Sequence, residues 1–376
     1  MKRTKTLALL AAGAGLVLTL AACGANSSAG TGGDSGNGSQ AAASGPKVGV
    51  ILPETATSAR WQAFDQPMLQ SALVNAGLDP IIENAQGDNQ KFSQLADSML
   101  SQNVKVLIIS APNGDVGATV ERKAKAQGVP VIDYDRLNLG GSADYYVSFD
   151  NVRVGELQGQ ALKDAMAGRP AGQQIIEVEG SPTDNNATLF HNGQENILKP
   201  LYDSGALKLV NSQMIDGWDN GKGGTTFEQM LSANGGKVDG VLAANDGLAG
   251  AIITVLQKNH LDGKVPVTGM DASAAGLKAI LEGTQYSTVF KPIKQEADAT
   301  AQLAAALVKG DTASADAVAK DSSTDPQGNR TVKSVLLTPQ SITKDTVKIV
   351  VDQGYVKASE ICDGDTAAVC AQLNIH

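Results

Sequence analysis

Polar and aromatic side chains recur in this sequence directly after short apolar runs of the kind that form buried strands. Carboxylate, amide, guanidinium and ammonium groups form directional hydrogen bonds, which are strongest where one partner is charged. Aromatic rings add flat apolar faces. The residues near the ends of these apolar runs are Arg60, Trp61, Asp135, Arg136, Asn185, Asn186, Trp218, Asn245, Asp271 and Lys291.

Each of these residues has an ordinary structural explanation when it is taken alone. Asparagine and aspartate after a strand are common helix N-caps, and buried tryptophans are usually core residues. Arg136 and Lys291 are also typical of solvated surface charges. Taken together, the residues predict a cleft that is rich in hydrogen-bonding groups and has apolar walls. A neutral ligand with many hydroxyls and a C–H face, such as a monosaccharide, fits such a cleft.

The elements that must position these residues alternate between strands and helices. Strands are predicted from short continuous apolar runs, and helices from apolar residues at helical spacing that end near a glycine. The first set of predicted strands is 47–52, 80–83, 104–110, 129–135 and 145–149, and its helices are 60–76, 89–102, 116–127 and 152–167. This order predicts a parallel sheet with helices on both faces.

The same order repeats in the second half of the chain. Its predicted strands are 175–179, 207–215, 238–244, 265–270 and 287–290, and its helices are 187–198, 225–233, 248–259 and 272–282. The predicted fold class is therefore α/β, with two similar doubly wound parallel-sheet lobes. Ligands of such sheets bind beyond the carboxyl ends of the strands, so the polar residues are expected in the cleft between the lobes.

A series of short motifs extends over residues 47–357. The motifs are Tyr134-Asp135-Arg136, Tyr146 to Asn151 with Val154 to Leu157, Gly180-Ser181-Pro182 with Asp184 to Ala187, Asp216-Gly217-Trp218, Asn245-Asp246, Gly269 to Ala272, Gly283-Thr284-Gln285 and Val289 to Pro292. In content and order, the series closely resembles the D-xylose-binding proteins of bacterial ABC transporters. The resemblance does not extend to the N-terminal residues or to the tail that contains Cys362 and Cys370.

The resemblance implies the type I periplasmic-binding-protein fold, with a sugar held between the lobes. It implies hydrogen bonds to the sugar from Arg60, Asp135, Arg136, Asn185, Asn186, Asn245, Asp271 and Lys291, and stacking on Trp218 with Trp61 opposite. Two departures bear on the preferred sugar, because Thr57-Ser58-Ala59 and Met270 stand where relatives tend to have more charged or polar residues. Such relatives accept xylose alone, or glucose, galactose and arabinose as well.

The architecture also predicts how the chain divides and moves. Residues 47–149 and 291–336 are assigned to an N-terminal lobe, and residues 150–290 and 337–376 to a C-terminal lobe. Three crossings near 149–151, 290–292 and 337–339 would form a three-stranded hinge, and a bridging sugar would favour the closed state. The expected partners are a monosaccharide and an ABC transporter permease, with a multi-sugar receptor for a chemoreceptor or sensor kinase as the alternative. The protein is expected to be a monomer.

The N-terminal residues predict export and a lipid anchor. Lys2, Arg3 and Lys5 precede an apolar stretch at 7–20 that is too short to span a bilayer as a helix. The stretch ends in Leu20-Ala21-Ala22-Cys23, which resembles the cleavage site of a bacterial lipoprotein. Residues 1–22 are therefore predicted to be a signal peptide, and its removal would leave a lipidated Cys23 on the outer face of the membrane. The alternative is an ordinary signal peptide with an incidental cysteine. Residues 23–46 contain mostly small and polar side chains and are predicted to be a flexible tether.

Composition and missing motifs exclude several other classes of function. The formal charge of −9 disfavours nucleic-acid binding. The chain has no phosphate-loop or nucleophile-elbow motif, and its three histidines show no metal-ligand spacing, so neither an enzyme nor a metal or cofactor is predicted. Cys362 and Cys370 lie close together in a chain predicted to be exported, which predicts a local disulfide.

Overall fold

The computed structural model describes residues 45–376, so the predicted signal peptide and nearly all of the tether lie outside the described residues. The strands are β1 (Lys47–Leu52), β2 (Asp79–Asn84), β3 (Val106–Ile109), β4 (Val131–Tyr134), β5 (Tyr145–Phe149), β6 (Gln173–Glu179), β7 (Leu207–Met214), β8 (Gly240–Ala243), β9 (Ser287–Phe290), β10 (Asp321–Asp325), β11 (Arg330–Leu337) and β12 (Gln340–Thr343). The helices are α1 (Gln66–Asn75), α2 (Asn89–Ser101), α3 (Gly114–Ala126), α4 (Asn151–Ala165), α5 (Asn185–Asp203), α6 (Asn220–Ala233), α7 (Asp246–Lys258), α8 (Ala274–Glu282), α9 (Ile293–Val308), α10 (Thr312–Val318), α11 (Lys348–Asp352), α12 (Ala358–Ile361) and α13 (Ala367–Gln372).

The larger sheet has seven strands in the order β10-β11-β5-β4-β3-β1-β2. Its strands are parallel except for β10, which pairs antiparallel with β11 at one edge. Successive residues of β1 face opposite helical layers: Val50 lies in one core cluster with Leu303 of α9, and Ile51 in another with Phe92 of α2. Because both faces are covered, the strand is apolar along its length.

The smaller parallel sheet has the order β7-β6-β8 and is also covered on both faces. Val178 of β6 shares a core cluster with Phe227 of α6, while Ile175 shares another with Leu198 of α5. Strands β9 and β12 form a separate antiparallel pair. The predicted fold class, α/β with two parallel sheets that carry helices on both faces, is confirmed.

The predicted strand at 265–270 is wrong. Only Val267 forms a β-bridge there, with Val241 of β8. The hydroxyl of Thr268 accepts from the backbone N–H of Ala243 at 3.0 Å and donates to its carbonyl at 3.1 Å, where a regular strand would use its own backbone. The backbone of Pro266 and Thr268 bonds to Val241, and beyond that point the Thr268 side chain takes over the contact with β8. The pairing is therefore shorter than the apolar run predicts.

The predicted helix at 60–76 is present, but its first part is not a regular α-helix. Residues Trp61–Asp65 form a wider, π-helical turn before α1 begins at Gln66. Pro67 has no N–H with which to bond the carbonyl four residues earlier, so a regular α-helix cannot run through this point. The strands β10, β11 and β12 were not predicted, because their polar residues lack the buried apolar pattern.

The C-terminal segment packs around α8 through buried side chains that include Leu277 and Ile361. Cys362 and Cys370 form a disulfide in this segment, with their Cα atoms 5.8 Å apart. Among the helices of residues 45–376, none combines the length and the apolar character that a membrane span requires.

Helices α4 and α5 approach each other closely because glycines face the contact. A Cβ on Gly155 would lie 1.9 Å from the carbonyl oxygen of Phe190, and a Cβ on Gly193 would lie 2.0 Å from that of Val152. Both distances are far below van der Waals contact, so no other residue fits at either position. This contact matters for function because α5 begins at the cleft.

We expect Gly155→Ala to lower the free energy of unfolding by about 1 to 3 kcal/mol, because the added methyl must separate α4 from α5. Gly250→Ala in α7 is the matched control: a Cβ on Gly250 would meet no neighbouring atom within 4 Å, so alanine should stabilise the helix by about 1 kcal/mol. Urea unfolding of both variants measures the difference. Equal stability of the two variants would contradict the close helix contact.

Candidate functional site

A cavity lies between the carboxyl ends of the two parallel sheets. Nine of the ten predicted site residues line it, namely Arg60, Trp61, Asp135, Arg136, Asn186, Trp218, Asn245, Asp271 and Lys291. The fold therefore brings together residues that are far apart in the sequence.

Asn185 is the predicted site residue that does not line this cavity. It lines a neighbouring crevice, together with Asn113 and Thr183. Asn185 is the first residue of α5 and follows the N-cap Asp184. The helical turn directs Asn186 into the cavity, whereas Asn185 lies at the outer crevice.

Arg60 lies at the base of the cavity in a buried ionic network. Its guanidinium donates to Asp65 at 2.7 and 2.9 Å, to Asp135 at 2.8 and 3.1 Å, and to Glu296 at 3.0 Å. Although burial opposes it, the charges of Asp135 and Asp65 raise the pKa of Arg60 well above its usual value. Most of the guanidinium is therefore engaged by the protein, and Arg60 mainly positions Asp135.

Asp135 is held in its ionised form by surrounding cations. Burial alone would raise its pKa, but the charges of Arg60, Lys291 and Arg136 outweigh burial and lower the pKa. The amide of Asn186 donates to the carbonyl of Asp135 at 2.9 Å, which fixes the backbone as well. A carboxylate of this kind is a strong acceptor for a hydroxyl group.

Charged and polar contacts also cross the cleft. Ser58, in the loop after β1, donates to Oδ2 of Asp271 at 2.8 Å, and the Nζ of Lys291 lies 3.1 Å from Oδ1 of Asp271 and 3.9 Å from Oδ1 of Asp135. Asn220 of α6 donates to the carbonyl of Thr57 at 3.2 Å. The structure therefore has the two lobes in contact around the cavity.

Three cavity residues have left-handed backbone conformations, which non-glycine residues rarely adopt. The φ angles are 62° for Asp135, 57° for Trp218 and 93° for Asp271. Strained conformations of this kind concentrate at ligand sites, where the surrounding structure maintains them. In this protein each of the three residues lies at a turn of the chain beside the cavity. The strained backbone conformation therefore occurs where a side chain is directed into the cavity.

The two tryptophans are held by different contacts. The guanidinium carbons of Arg60 and Arg136 lie 4.4 and 5.3 Å from the ring centre of Trp61. The Nε1 of Trp61 is buried and has no hydrogen-bond partner within residues 45–376. The indole N–H of Trp218 donates to Asp184 at 3.1 Å. Both rings are consequently rigid walls of the cavity.

Asp184 is a cavity residue that the sequence analysis did not assign to the site. One oxygen caps α5 by accepting from the N–H of Asn186, and the other accepts from Trp218 and lies 3.0 Å from Nε of Arg136. Its position directly after β6 could have indicated a site residue. A role as the N-cap of α5 already explained an aspartate there, so the sequence offered no further reason to assign it to the site. The other unassigned lining residues are Thr57, Ser58, Phe190 and Met270.

Asn245 and Asp246 show how a cap can also support the site. Asn245 lines the cavity and caps α7 through its Oδ1, which accepts from the N–H of Leu248 at 2.9 Å. The buried carboxylate of Asp246 accepts from the N–H of Ser273 at 2.8 Å, and also from Gln285 and Thr288 at 2.8 Å each. Asp246 therefore fastens the turn that carries Asp271.

A pH-dependent contribution of Asp246 to stability follows from its burial. Burial raises the pKa of Asp246 to about 6, although hydrogen bonds from Gln285 and Thr288 oppose the shift. The ordinary pKa of about 3.9 applies in the unfolded chain, so the folded state binds the proton more tightly. The resulting stabilisation is full below about pH 4 and is lost as the pH rises to about 6.

We expect Asp246→Asn to remove this pH-dependent contribution, which amounts to about 3 kcal/mol between pH 4 and pH 6. Chemical unfolding of the wild type and the variant at several pH values measures it as the difference between the two profiles. Asp365→Asn, which changes an exposed carboxylate, should leave the wild-type profile unaltered. Parallel profiles for Asp246→Asn and the wild type would contradict the assignment.

A family model described as a periplasmic binding protein domain matches residues 48–312. The chain belongs to the periplasmic binding protein family. Members of this family are extracytoplasmic proteins that bind solutes, so this periplasmic binding protein is not an enzyme. The matched residues include the cavity-lining residues from Arg60 to Lys291.

Similarity to individual members extends over most of the chain. The D-xylose-binding periplasmic protein of Escherichia coli K12 is 37% identical over 84% of this chain and 92% of its own length. The multiple sugar-binding periplasmic receptor ChvE of Rhizobium radiobacter is 34% identical over 84% of this chain and 92% of its own length. A solved carbohydrate transporter solute binding protein from Chloroflexus aurantiacus, in complex with D-glucose, has a TM-score of 0.75 and 30% identity over 83% of this chain and 97% of that chain.

Proposed function

We propose that this periplasmic binding protein binds D-xylose, or a related aldopentose or aldohexose, and delivers it to the permease of an ABC transporter. The observation that carries the proposal is a cavity between the lobes with ionised side chains from both lobes and tryptophan walls. Sugar hydroxyls donate and accept hydrogen bonds, so each polar group has a counterpart. Similarity to a D-xylose-binding protein and to a multiple sugar-binding receptor supports this class of ligand.

Three groups in the cavity have bonding capacity that a sugar would use. Oδ1 of Asp271 is buried without a hydrogen-bond partner in the described part of the chain, although Lys291 lies close to it. The unpartnered Nε1 of Trp61 would donate to a hydroxyl oxygen. Asn245 uses its oxygen as a helix cap, which leaves its amide nitrogen as a donor to the ligand.

Other predicted residues would act mainly by positioning. Arg60 and Asn186 hold the side chain and the backbone of Asp135, respectively. Trp218 would cover the C–H face of the sugar ring, and Arg136 would donate from the side opposite Asp271. Asn185, in the outer crevice, would contact the sugar only after a rearrangement of the start of α5.

Closure of the lobes would link sugar binding to transport. The proposed lobes are residues 47–149 with 291–336 and residues 150–290 with 337–376, joined near 149–151, 290–292 and 337–339. Direct side-chain bonds such as Ser58 to Asp271 are short-range contacts of the closed state. A bound sugar adds hydrogen bonds to both lobes at once, so it would favour this state. The permease would then recognise the closed form of a monomeric binding protein.

We expect Asp271→Ala to weaken D-xylose binding by about 2 to 4 kcal/mol, because it leaves polar partners unpaired in the closed cleft. Trp218→Ala should cause a loss of similar size by removing stacking and apolar burial. Isothermal titration calorimetry measures both effects. Asp216→Ala is the matched control, because this exposed carboxylate lies two residues from Trp218 and does not line the cavity.

Two further measurements make this test decisive. Trp218 lies in a hydrophobic core cluster, and Asp271 lies 3.1 Å from the buried Nζ of Lys291, so both variants should also melt at a lower temperature without sugar. Titration at a temperature where the sugar-free variant is folded therefore separates the loss of sugar contacts from the loss of stability. Titrations of the wild type with D-glucose, D-galactose and L-arabinose separate a xylose-selective protein from a multi-sugar receptor. Unchanged D-xylose affinity in both variants would place the binding site elsewhere.

The membrane attachment of the protein is proposed from residues outside the described range. Cleavage after Ala22 would leave Cys23 as a lipidated N-terminus, and residues 23–46 would tether the binding domain to the outer face of the cell membrane. The small and polar composition of the tether supports this arrangement, because such a segment has little apolar surface to bury.

We expect Cys23→Ala to release the protein from the membrane fraction, because the substitution removes the thiol that would carry the lipid. Fractionation of cells that express the wild type or the variant, followed by immunoblotting, measures the distribution. Cys362→Ser with Cys370→Ser should leave the protein in the membrane fraction and thus controls for general loss of cysteine. Retention of mature Cys23→Ala protein at the membrane would refute the proposed anchor.

A further inference from the structure

A second cluster of ionisable side chains lies inside the C-terminal part of the fold, apart from the cavity. Strand β6 carries Glu177 and Glu179, and side chains two residues apart on a strand point to the same face. Each of these glutamates is only 1% exposed. His191 of α5 completes the cluster, and one ligand atom from each residue lies within 4.8 Å of the other two.

The two glutamates lack a strong cationic partner. Within residues 45–376, neither forms an ion pair with a lysine or an arginine, and the contact of Glu179 with Nδ1 of His191 is 3.3 Å long. Tyr202 donates to Oε1 of Glu177 at 2.7 Å. The other oxygen of Glu177, Oε2, is buried and has no hydrogen-bond partner in the described part of the chain.

Burying two adjacent carboxylates in this way is unfavourable unless a positive charge compensates them. This contrasts with Asp135 in the cleft, which lies beside the cations Arg60 and Lys291. The cluster therefore has the negative charge and the free ligand atom that a cation would satisfy.

We propose that Glu177, Glu179 and His191 form a binding site for one divalent metal ion, with Zn²⁺ as the ion that best fits the ligand set. Zinc combines imidazole nitrogen with carboxylate oxygen and binds three protein ligands plus a water. Magnesium and calcium prefer ligand sets made of oxygen alone. The ion would connect β6 to α5 inside the same part of the fold.

An ion can reach the cluster from solvent, and the ligand atoms are close enough to coordinate it. The His191 side chain is 38% exposed, so the cluster is accessible to solvent from that side. Ligand atoms around a tetrahedral zinc ion lie about 3.4 Å apart, given metal–ligand distances of about 2.1 Å. The Nδ1 of His191 and Oε1 of Glu179, which are 3.3 Å apart, already match this spacing.

The histidine spacing in the sequence predicts no such site, because the ligands come from two different elements. Glu177 and Glu179 belong to a strand, and His191 lies twelve residues after Glu179, in the second turn of the following helix. Only the packing of α5 on β6 brings the three together. The site is also independent of the sugar cavity, which none of the three residues lines.

The test is calorimetric titration of the untagged, chelator-treated protein with Zn²⁺. We expect one saturable site per chain and a higher melting temperature with Zn²⁺ than without it. His191→Ala and Glu177→Gln should each weaken Zn²⁺ binding by at least about tenfold. D-xylose affinity should be unchanged in His191→Ala. Ca²⁺ and Mg²⁺ should bind far more weakly than Zn²⁺.

His260→Ala is the matched control, because His260 is exposed and lies outside the cluster. It should bind Zn²⁺ as the wild type does. His191→Ala provides the decisive comparison if Glu177→Gln fails to fold, since a partly exposed histidine tolerates truncation. The absence of saturable binding in the wild type, or equal Zn²⁺ affinity in the wild type and His191→Ala, would overturn the proposal. A loss of binding in His260→Ala would do the same.

Discussion

The interaction on which the cleft depends is the buried contact between Arg60 and Asp135. Arg60 also binds Asp65 and Glu296. Lys291 lies between Asp135 and Asp271, so the ion pairs extend from Arg60 to Asp271. Breaking a buried ion pair leaves an uncompensated charge, which costs several kcal/mol. The network therefore holds the cleft side chains in one arrangement before any ligand arrives.

Several residues around the cavity make more than one of these contacts at once. Asp184 is a helix cap, a partner of Trp218 and a partner of Arg136 at the same time. Asp246 likewise fastens the turn that holds Asp271 in a left-handed conformation. Residues that would otherwise serve only to start helices thus also orient the groups that face the ligand.

Two buried acidic clusters in this protein are compensated differently. In the cleft, carboxylates surround an arginine and a lysine, so each carboxylate has a cationic partner within the protein. At β6, Glu177 and Glu179 have a histidine beside them and one unpartnered oxygen. The difference explains why the first cluster is suited to neutral polar ligands and the second to a cation.

The sequence alone was sufficient for the fold class and for most of the residues that line the cavity. Buried parallel strands are continuous apolar runs, and polar residues at their carboxyl ends must meet at one edge of the sheet. For this reason Asp135, Asn245 and Asp271 were predicted as neighbours although they are distant along the chain. The prediction that these residues are neighbours depended only on the local apolar pattern and on the order of the strands.

Only the tertiary structure decided the features that depend on individual contacts across elements. It separated Asn185 from Asn186, engaged most of Arg60 with carboxylates of the protein, and shortened the predicted strand at 265–270 to a single bridge at Val267. It also brought His191 to two glutamates of a strand. These outcomes are set by helix rotation and by side-chain geometry in three dimensions, and neither leaves a periodic signal in the sequence.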